Sequence, residues 1–195
     1  MTTRLFIVRK AKWEANAYES VDGGHWKPTS DEMTEIFTVA GLAAPSKADL
    51  ERFKSASGNI VLGSKYDTKT KSYVGGQSIA WCGIFATYVL KKWGGLDVKW
   101  VWGDGIKGAG VNKTWDHSGM RPGDVAIVRG KLNAKGQAVH HHFIITDIDY
   151  SENTMQSVDG NSTNDEIVWH KNKKIVYSGA DNASYTPYCH YKLSI

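Results

Sequence analysis

The stretch Trp81-Cys82-Gly83-Ile84-Phe85-Ala86-Thr87-Tyr88-Val89-Leu90-Lys91-Lys92-Trp93-Gly94-Gly95 decides how this chain is read. Cys82, Phe85, Ala86, Val89 and Trp93 recur at i, i+3, i+4, i+7 and i+11, the spacing of one helical face, and Gly94-Gly95 supplies the stop. The helix therefore opens at Trp81-Cys82, with a cysteine in its first turn. At that position unpaired backbone N–H groups and the positive end of the helix dipole stabilise a thiolate, the nucleophilic form of the residue. A cysteine on an apolar stripe also serves as ordinary core. Its chemistry is decided by whether the chain supplies a base.

Upstream of this helix the sequence is helical and loop-rich. Thr29-Ser30-Asp31-Glu32 ahead of Met33, Ile36, Phe37 and Ala40 combines an N-cap with a helical stripe that Gly41 stops. A second start lies at Ser46-Lys47-Ala48-Asp49, before Leu50 and Phe53. Residues 55–76 turn to Gly, Ser, Thr, Asn and Lys, which predicts a long exposed loop or a short hairpin. Residues 100–119 are glycine-rich and carry Trp100, Trp102 and Trp115 without a period, and are expected to form a structured loop. Downstream the chain is strand-like. The turn Arg121-Pro122-Gly123-Asp124 leads into Val125-Ala126-Ile127-Val128, and Phe143-Ile144-Ile145-Thr146-Asp147-Ile148 is β-rich. Further strands are expected at 154–158, 167–170, 175–177 and 188–193. Helices first and a meandering antiparallel sheet afterwards define an α+β class.

A thiol nucleophile requires a base within hydrogen-bond reach, and the base an orienting group. His140, His141 and His142 precede the most apolar strand. Consecutive side chains on a strand point to opposite faces, so the three cannot share one ion, and no metal is expected. His142 shares a face with Ile144, Thr146 and Ile148, whereas His141 shares one with Phe143, Ile145 and Asp147. The first set suits a face covered by a helix. This makes His142 the candidate base, with His141 second. Asp159 and Asn161, two apart in Asp159-Gly160-Asn161, share a face in extended chain, and either is able to receive the imidazole N–H.

In order, Trp81-Cys82-Gly83-Ile84-Phe85, Arg121-Pro122-Gly123-Asp124-Val125, His142-Phe143-Ile144-Ile145 and Asp159-Gly160-Asn161 resemble the motifs of the cysteine, histidine-dependent amidohydrolase/peptidase (CHAP) family. That family belongs to the papain-like, NlpC-type cell-wall hydrolases. The resemblance covers roughly residues 77 to 162; members commonly have a glycine before the histidine, where this chain has His140 and His141. It implies a papain-like fold, with the nucleophile at the N-terminus of a helix packed on a central antiparallel sheet. It also implies Cys82 as nucleophile, His142 as general base and Asn161, ahead of Asp159, as the orienting residue. Gln77 is the candidate oxyanion donor, and with Trp81 it forms the expected substrate-binding pair. The implied reaction is acyl transfer through a thioester without cofactor, on amide bonds of peptidoglycan stem or cross-bridge peptides. Trp100, Trp102 and Trp115 are either core or the lining of a substrate groove.

Composition bounds these expectations. The chain has 195 residues, 41% hydrophobic, with 24 Lys+Arg against 20 Asp+Glu and a net charge of +4. A single domain is expected over 1–195, made of a helical and loop part at 1–76 and the catalytic core at 77–195. No apolar run approaches the roughly 20 residues of a membrane span, so no stable membrane insertion is expected. The N-terminal run Leu5-Phe6-Ile7-Val8 is shorter than the roughly 7–15 residues of a signal-peptide core. Synthesis in the cytoplasm and action at the cell wall after export or lysis are expected, as in an injected antibacterial effector or a phage lysin; an effector implies a cognate immunity protein. Lys171, Lys173 and Lys174 form a small basic cluster without interleaved aromatics, so no nucleic-acid partner is expected. Two cysteines, Cys82 and Cys189, make no disulfide framework. The alternatives carried forward are a deamidase, thioesterase or acyltransferase toxin acting on a cytosolic target, and a module that only binds.

Overall fold

A computed structural model describes residues 3–15, 24–55, 59–115, 119–132, 138–152, 154–162, 166–170 and 187–195. Along the chain run α1 (Thr3–Glu14), β1 (His25–Trp26), α2 (Ser30–Val39), α3 (Lys47–Ser55), β2 (Ile60–Leu62), β3 (Lys65–Asp67), β4 (Ser72–Val74) and β5 (Gln77–Ile79). They are followed by α4 (Cys82–Lys92), β6 (Val98–Val101), β7 (Gly105–Gly108), β8 (Val111–Thr114), β9 (Val125–Leu132), β10 (Ala138–Asp149), β11 (Thr154–Asp159), β12 (Ile167–His170) and β13 (Pro187–Leu193).

Local chemistry starts the helices where the sequence places them. Thr29 Oγ1 accepts from the Glu32 N–H while the Glu32 carboxylate accepts from the Thr29 N–H, a complete capping box for α2. Ser46 and Asp49 exchange the same kind of bonds at the start of α3. Helix α4 spans the expected residues, but every residue from Cys82 to Leu90 is buried, not one stripe alone. It is a central helix, in contact with α1, α2, β6 and β10. The buried Thr87 hydroxyl is satisfied by donating to the Gly83 carbonyl at 2.8 Å.

The main sheet is antiparallel, in the order β1-β12-β11-β10-β9-β13-β8. Side-chain alternation divides its two faces. Val125, Ile127, Ile144, Val158, Cys189 and Tyr191 join α4, Ile7, Met33, Phe37 and Phe53 in one core. Ala126, Val128, Phe143, Ile145 and Met155 close a smaller core with Met120 on the other face. Residues of 1–76 therefore supply one wall of the main core.

Two readings of the sequence change here. Residues 100–119, expected to be a structured loop, contain β7 and β8 and the end of β6; β6 pairs with β7, and β8 joins the main sheet beside β13. Residues 3–14, in which no helix was expected, form α1. Tertiary contacts hold it in place. Arg4 pairs with the fully buried Asp124 at 2.7 Å and also donates to the Pro122 and Leu193 carbonyls. Asp124 in addition accepts from the N–H groups of Arg121 and Leu193, so the Pro-Gly-Asp turn ties α1, β9 and β13 together. At the other end of α1, Glu14 accepts from Tyr88 Oη at 2.9 Å and Trp93 Nε1 at 2.7 Å, both from α4 or its cap. Residues 55–76, expected to be a long exposed loop or a short hairpin, contain the β3–β4 hairpin, and β2 pairs with β5 just beyond them. The expected strand at 175–177 and the lysine cluster at 171–174 lie outside the described residues.

Candidate active site

Cys82 opens α4, and its cap residue Trp81 contributes no side-chain cap hydrogen bond. The first intrahelical bond at this end is from the Phe85 N–H to the Trp81 carbonyl, so the N–H groups of the first turn are left for the sulfur or for an incoming oxyanion. Gly83 is required by close approach. A Cβ there would lie 2.3 Å from ring carbons of Trp100, which roofs the start of the helix.

The sulfur sits over the start of β10, with Sγ 4.0 Å from the His140 carbonyl oxygen. At that position both following histidines influence its ionisation, although they alternate across the strand. His142 Nδ1 is 3.9 Å from Sγ. His142 lies on the α4 face as expected, 8% exposed, with its ring edge-on to Trp100 at 5.3 Å and stacked on Tyr191 at 6.2 Å. His141 differs in having a carboxylate: its Nε2 donates to Asp159 Oδ2 at 2.9 Å. The register explains the pairing. Ile144 stands opposite Val158, so Phe143 faces Asp159, and His141 is the diagonal neighbour of Asp159 on the same face.

Electrostatics follow the same line. Burial opposes ionisation of Cys82, but hydrogen bonds and charge from His141, then His142, outweigh it, and the thiol falls well below its ordinary range. Burial likewise disfavours the His141 imidazolium, yet Asp159 and the Cys82 thiolate raise His141 well above its ordinary value. Asp159, fully buried, is held ionised against burial by His141 and then His170. Cys82, His141 and Asp159 thus form a series in which the charged form of each side chain favours that of its neighbour.

Asp159 and Asn161 do not share the role that extended chain suggested. β11 ends at Asp159; Asn161 has φ +56°, and its amide donates instead to Asn59 Oδ1 at 2.8 Å. Packing requires the glycine between them, since a Cβ on Gly160 would meet the Cβ of Phe85 at 2.5 Å. The side chain that meets a histidine here is Asp159, while Asn161, expected first, turns to Asn59. Trp81, expected to touch substrate, is fully buried, edge-on to Phe53 and Phe85, and serves as core beneath the helix start. Gln77 is exposed on β5, where its backbone pairs with Leu62, and no hydrogen bond joins it to Cys82 or to either histidine. Of the loop tryptophans, Trp100 is half-buried against the site, and Trp102, 51% exposed, stands edge-on to it at 6.4 Å. Trp115 is 66% exposed.

Sequence reasoning missed two members. Ser157 Oγ donates to Asp159 Oδ1 at 2.6 Å, and His170 Nε2 lies 3.3 Å from Asp159 Oδ2. Ser157 carried a signal, standing two residues before Asp159 on one strand and hence on the same face. His170 carried none, because only the β11–β12 register brings it there. Among the described residues no group of three or more His, Cys, Asp or Glu side chains is arranged to hold a metal ion, and no helix is long and apolar enough to cross a membrane. No family model, no curated protein and no solved structure matches the chain.

Proposed function

We propose that this chain is a papain-like cysteine amidohydrolase that cleaves amide bonds in the peptide part of peptidoglycan, with Cys82 as nucleophile, His141 as general acid and base, and Asp159 as orienting carboxylate. The observation that carries the reading is a buried thiol at a helix N-terminus whose ionisation His141 and His142 favour, with His141 bound in turn to the buried Asp159 at 2.9 Å. It is supported by the ordered CHAP-like motifs, whose Cys82 and Asp159 occur in it; the base moves from His142 to its neighbour. The thiolate attacks the amide carbonyl, forming a C–S bond as the carbonyl π electrons move onto oxygen. Backbone N–H groups of the first turn of α4 stabilise that oxyanion. As the C–N bond breaks, the imidazolium of His141 gives its proton to the leaving amine. Neutral His141 then takes a proton from water, the resulting hydroxide equivalent attacks the thioester, and as the C–S bond breaks the thiolate leaves, regenerating the ion pair with the His141 imidazolium.

The exposed Trp102 beside Trp100 suits the rim of a groove leading to the thiol. The mild positive charge suits an anionic polymer such as cell wall. Delivery as an antibacterial effector, with an immunity protein that blocks the cleft, is the partner relationship this reading implies. The test is digestion of purified peptidoglycan by wild type and Cys82→Ala, with soluble products identified by mass spectrometry. Fragments with a new amine and a new carboxyl terminus, released by wild type alone, support the reading and name the bond. If several wall chemotypes release nothing with either protein, the reading fails and protein deamidation or thioester hydrolysis takes its place.

A further inference from the structure

Asp159 is 2% exposed, and three side chains converge on it: Ser157 Oγ on Oδ1 at 2.6 Å, and His141 Nε2 at 2.9 Å and His170 Nε2 at 3.3 Å on Oδ2. Only His141 among these also favours ionisation of the sulfur. His170 lies at the end of β12, its side chain 15% exposed, with Nε2 also 3.2 Å from Ser162 Oγ. The ionised carboxylate fixes the tautomer. A lone pair on Nε2 at this distance would face a negative oxygen, so Nε2 carries the proton and Ser162 Oγ shares it as a second acceptor.

We infer that His170 is a positioning residue of the active site, which donates to Asp159 and thereby limits how tightly that carboxylate holds the proton of His141. The inference rests on the Cys82–His141–Asp159 reading and deepens it. A carboxylate that already accepts from Ser157 and His170 is a weaker acceptor for a third N–H than one left with Ser157 alone. The sign is the same whether His170 is neutral or charged, because an imidazolium adds repulsion of the His141 proton to the loss of carboxylate basicity. The consequence falls on the second half of the reaction. In the thioester the sulfur is uncharged, and His141 must be neutral to take a proton from water. Without the His170 donor the buried carboxylate favours the imidazolium, and the base is lost to protonation. Among the described residues, the titratable groups around the carboxylate are His141 from β10 and His170 from β12, with Cys82 of α4 and His142 beyond His141. Glu166, ahead of β12, is engaged by His25 of β1 at 3.0 Å.

The experiment is a histidine titration by NMR on the full chain carrying Cys82→Ala, which takes the thiolate out of the charge balance as thioester formation does. The His141 signal is identified by its loss in His141→Gln. In this background His170→Ala and the near-isosteric, non-donating His170→Phe raise the His141 midpoint by about half a pH unit or more. His170→Gln, whose side-chain N–H takes the place of Nε2–H, restores it. A midpoint that stays put in both non-donating variants, or that moves equally in the Gln variant, overturns the inference. Asp159→Asn in the same background separates this from failure of the series itself. If the His141 midpoint does not fall when the carboxylate is neutralised, the Cys82–His141–Asp159 reading is wrong; if it falls while His170 has no effect, only the role of His170 is.

Discussion

Replacing His141 with alanine removes the one imidazole that links the sulfur to a buried carboxylate. An imidazolium about 4 Å from a thiolate contributes about 4 kcal/mol at an effective dielectric near 20, which is about three pKa units. Burial acts in the opposite direction and is not removed by the substitution. With His142 still beside the sulfur, the thiol should rise by up to about three units toward its ordinary value near 8.5, where about 0.3% is ionised at pH 6. In the wild type the folded-state thiol is depressed and the His141 imidazole raised, so the ion pair spans the ordinary histidine and cysteine ranges between them. Acid removes it by protonating the thiolate, and alkali by deprotonating His141. The assay is the second-order rate of alkylation by iodoacetamide from pH 4 to 10, which needs no substrate. Wild type should react at pH 6 with a rate near its plateau; His141→Ala should lose a factor of up to about 300 there, less by whatever His142 retains. His142→Ala should shift the midpoint less, because the carboxylate-backed imidazole remains. The opposite ranking, with the low-pH reactivity surviving His141→Ala and vanishing in His142→Ala, would refute the assignment and restore His142 as the base.

Other consequences follow from the same geometry. Asp159→Asn should lower turnover about 100-fold or more by losing the charge that supports the imidazolium, while Asn161→Ala changes it about twofold or less; equal losses on the released-product assay would mean that both residues orient the base. Asp124→Ala leaves Arg4 partly buried without its carboxylate and frees the Leu193 and Arg121 N–H groups, so urea unfolding should show a loss of about 3–5 kcal/mol, and a loss below about 1 kcal/mol would mean the α1 tie is dispensable. Gly160→Ala places a methyl group 2.5 Å from the Phe85 Cβ and should cost about 1–3 kcal/mol in thermal unfolding, with turnover falling as the β11 end shifts; an unchanged melting temperature would show that the turn yields freely.

Much of the scaffold was legible because it is written in local patterns. The stripe from Cys82 to Trp93 marked α4, the Thr29–Glu32 box marked α2, and residues 167–170 and 188–193 read as strands where β12 and β13 lie. Alternation along β10 correctly put His142 and Ile144 on the face that α4 covers. α1 was not legible, since what holds it is not its own pattern but Asp124, more than a hundred residues away, and the Tyr88–Glu14–Trp93 contacts. Nor were β7 and β8, whose glycines and lysines carry no apolar alternation and become strands through their pairing partners.

The sequence by itself determined that a cysteine would stand in the first turn of an apolar helix, and that histidines and acidic or amide residues would stand at the ends of neighbouring strands. Periodicity reports which face a side chain takes, and nothing more. Which histidine meets a carboxylate depends on the register between β10 and β11, which makes His141 the diagonal neighbour of Asp159. Which polar residue of Asp159-Gly160-Asn161 meets a histidine depends on where β11 ends, with Asp159 in the strand and Asn161 beyond it. That His170 shares the same carboxylate depends on a third strand laid beside the second. Register and strand ends are set by contacts between distant segments, and these decided the composition of the site.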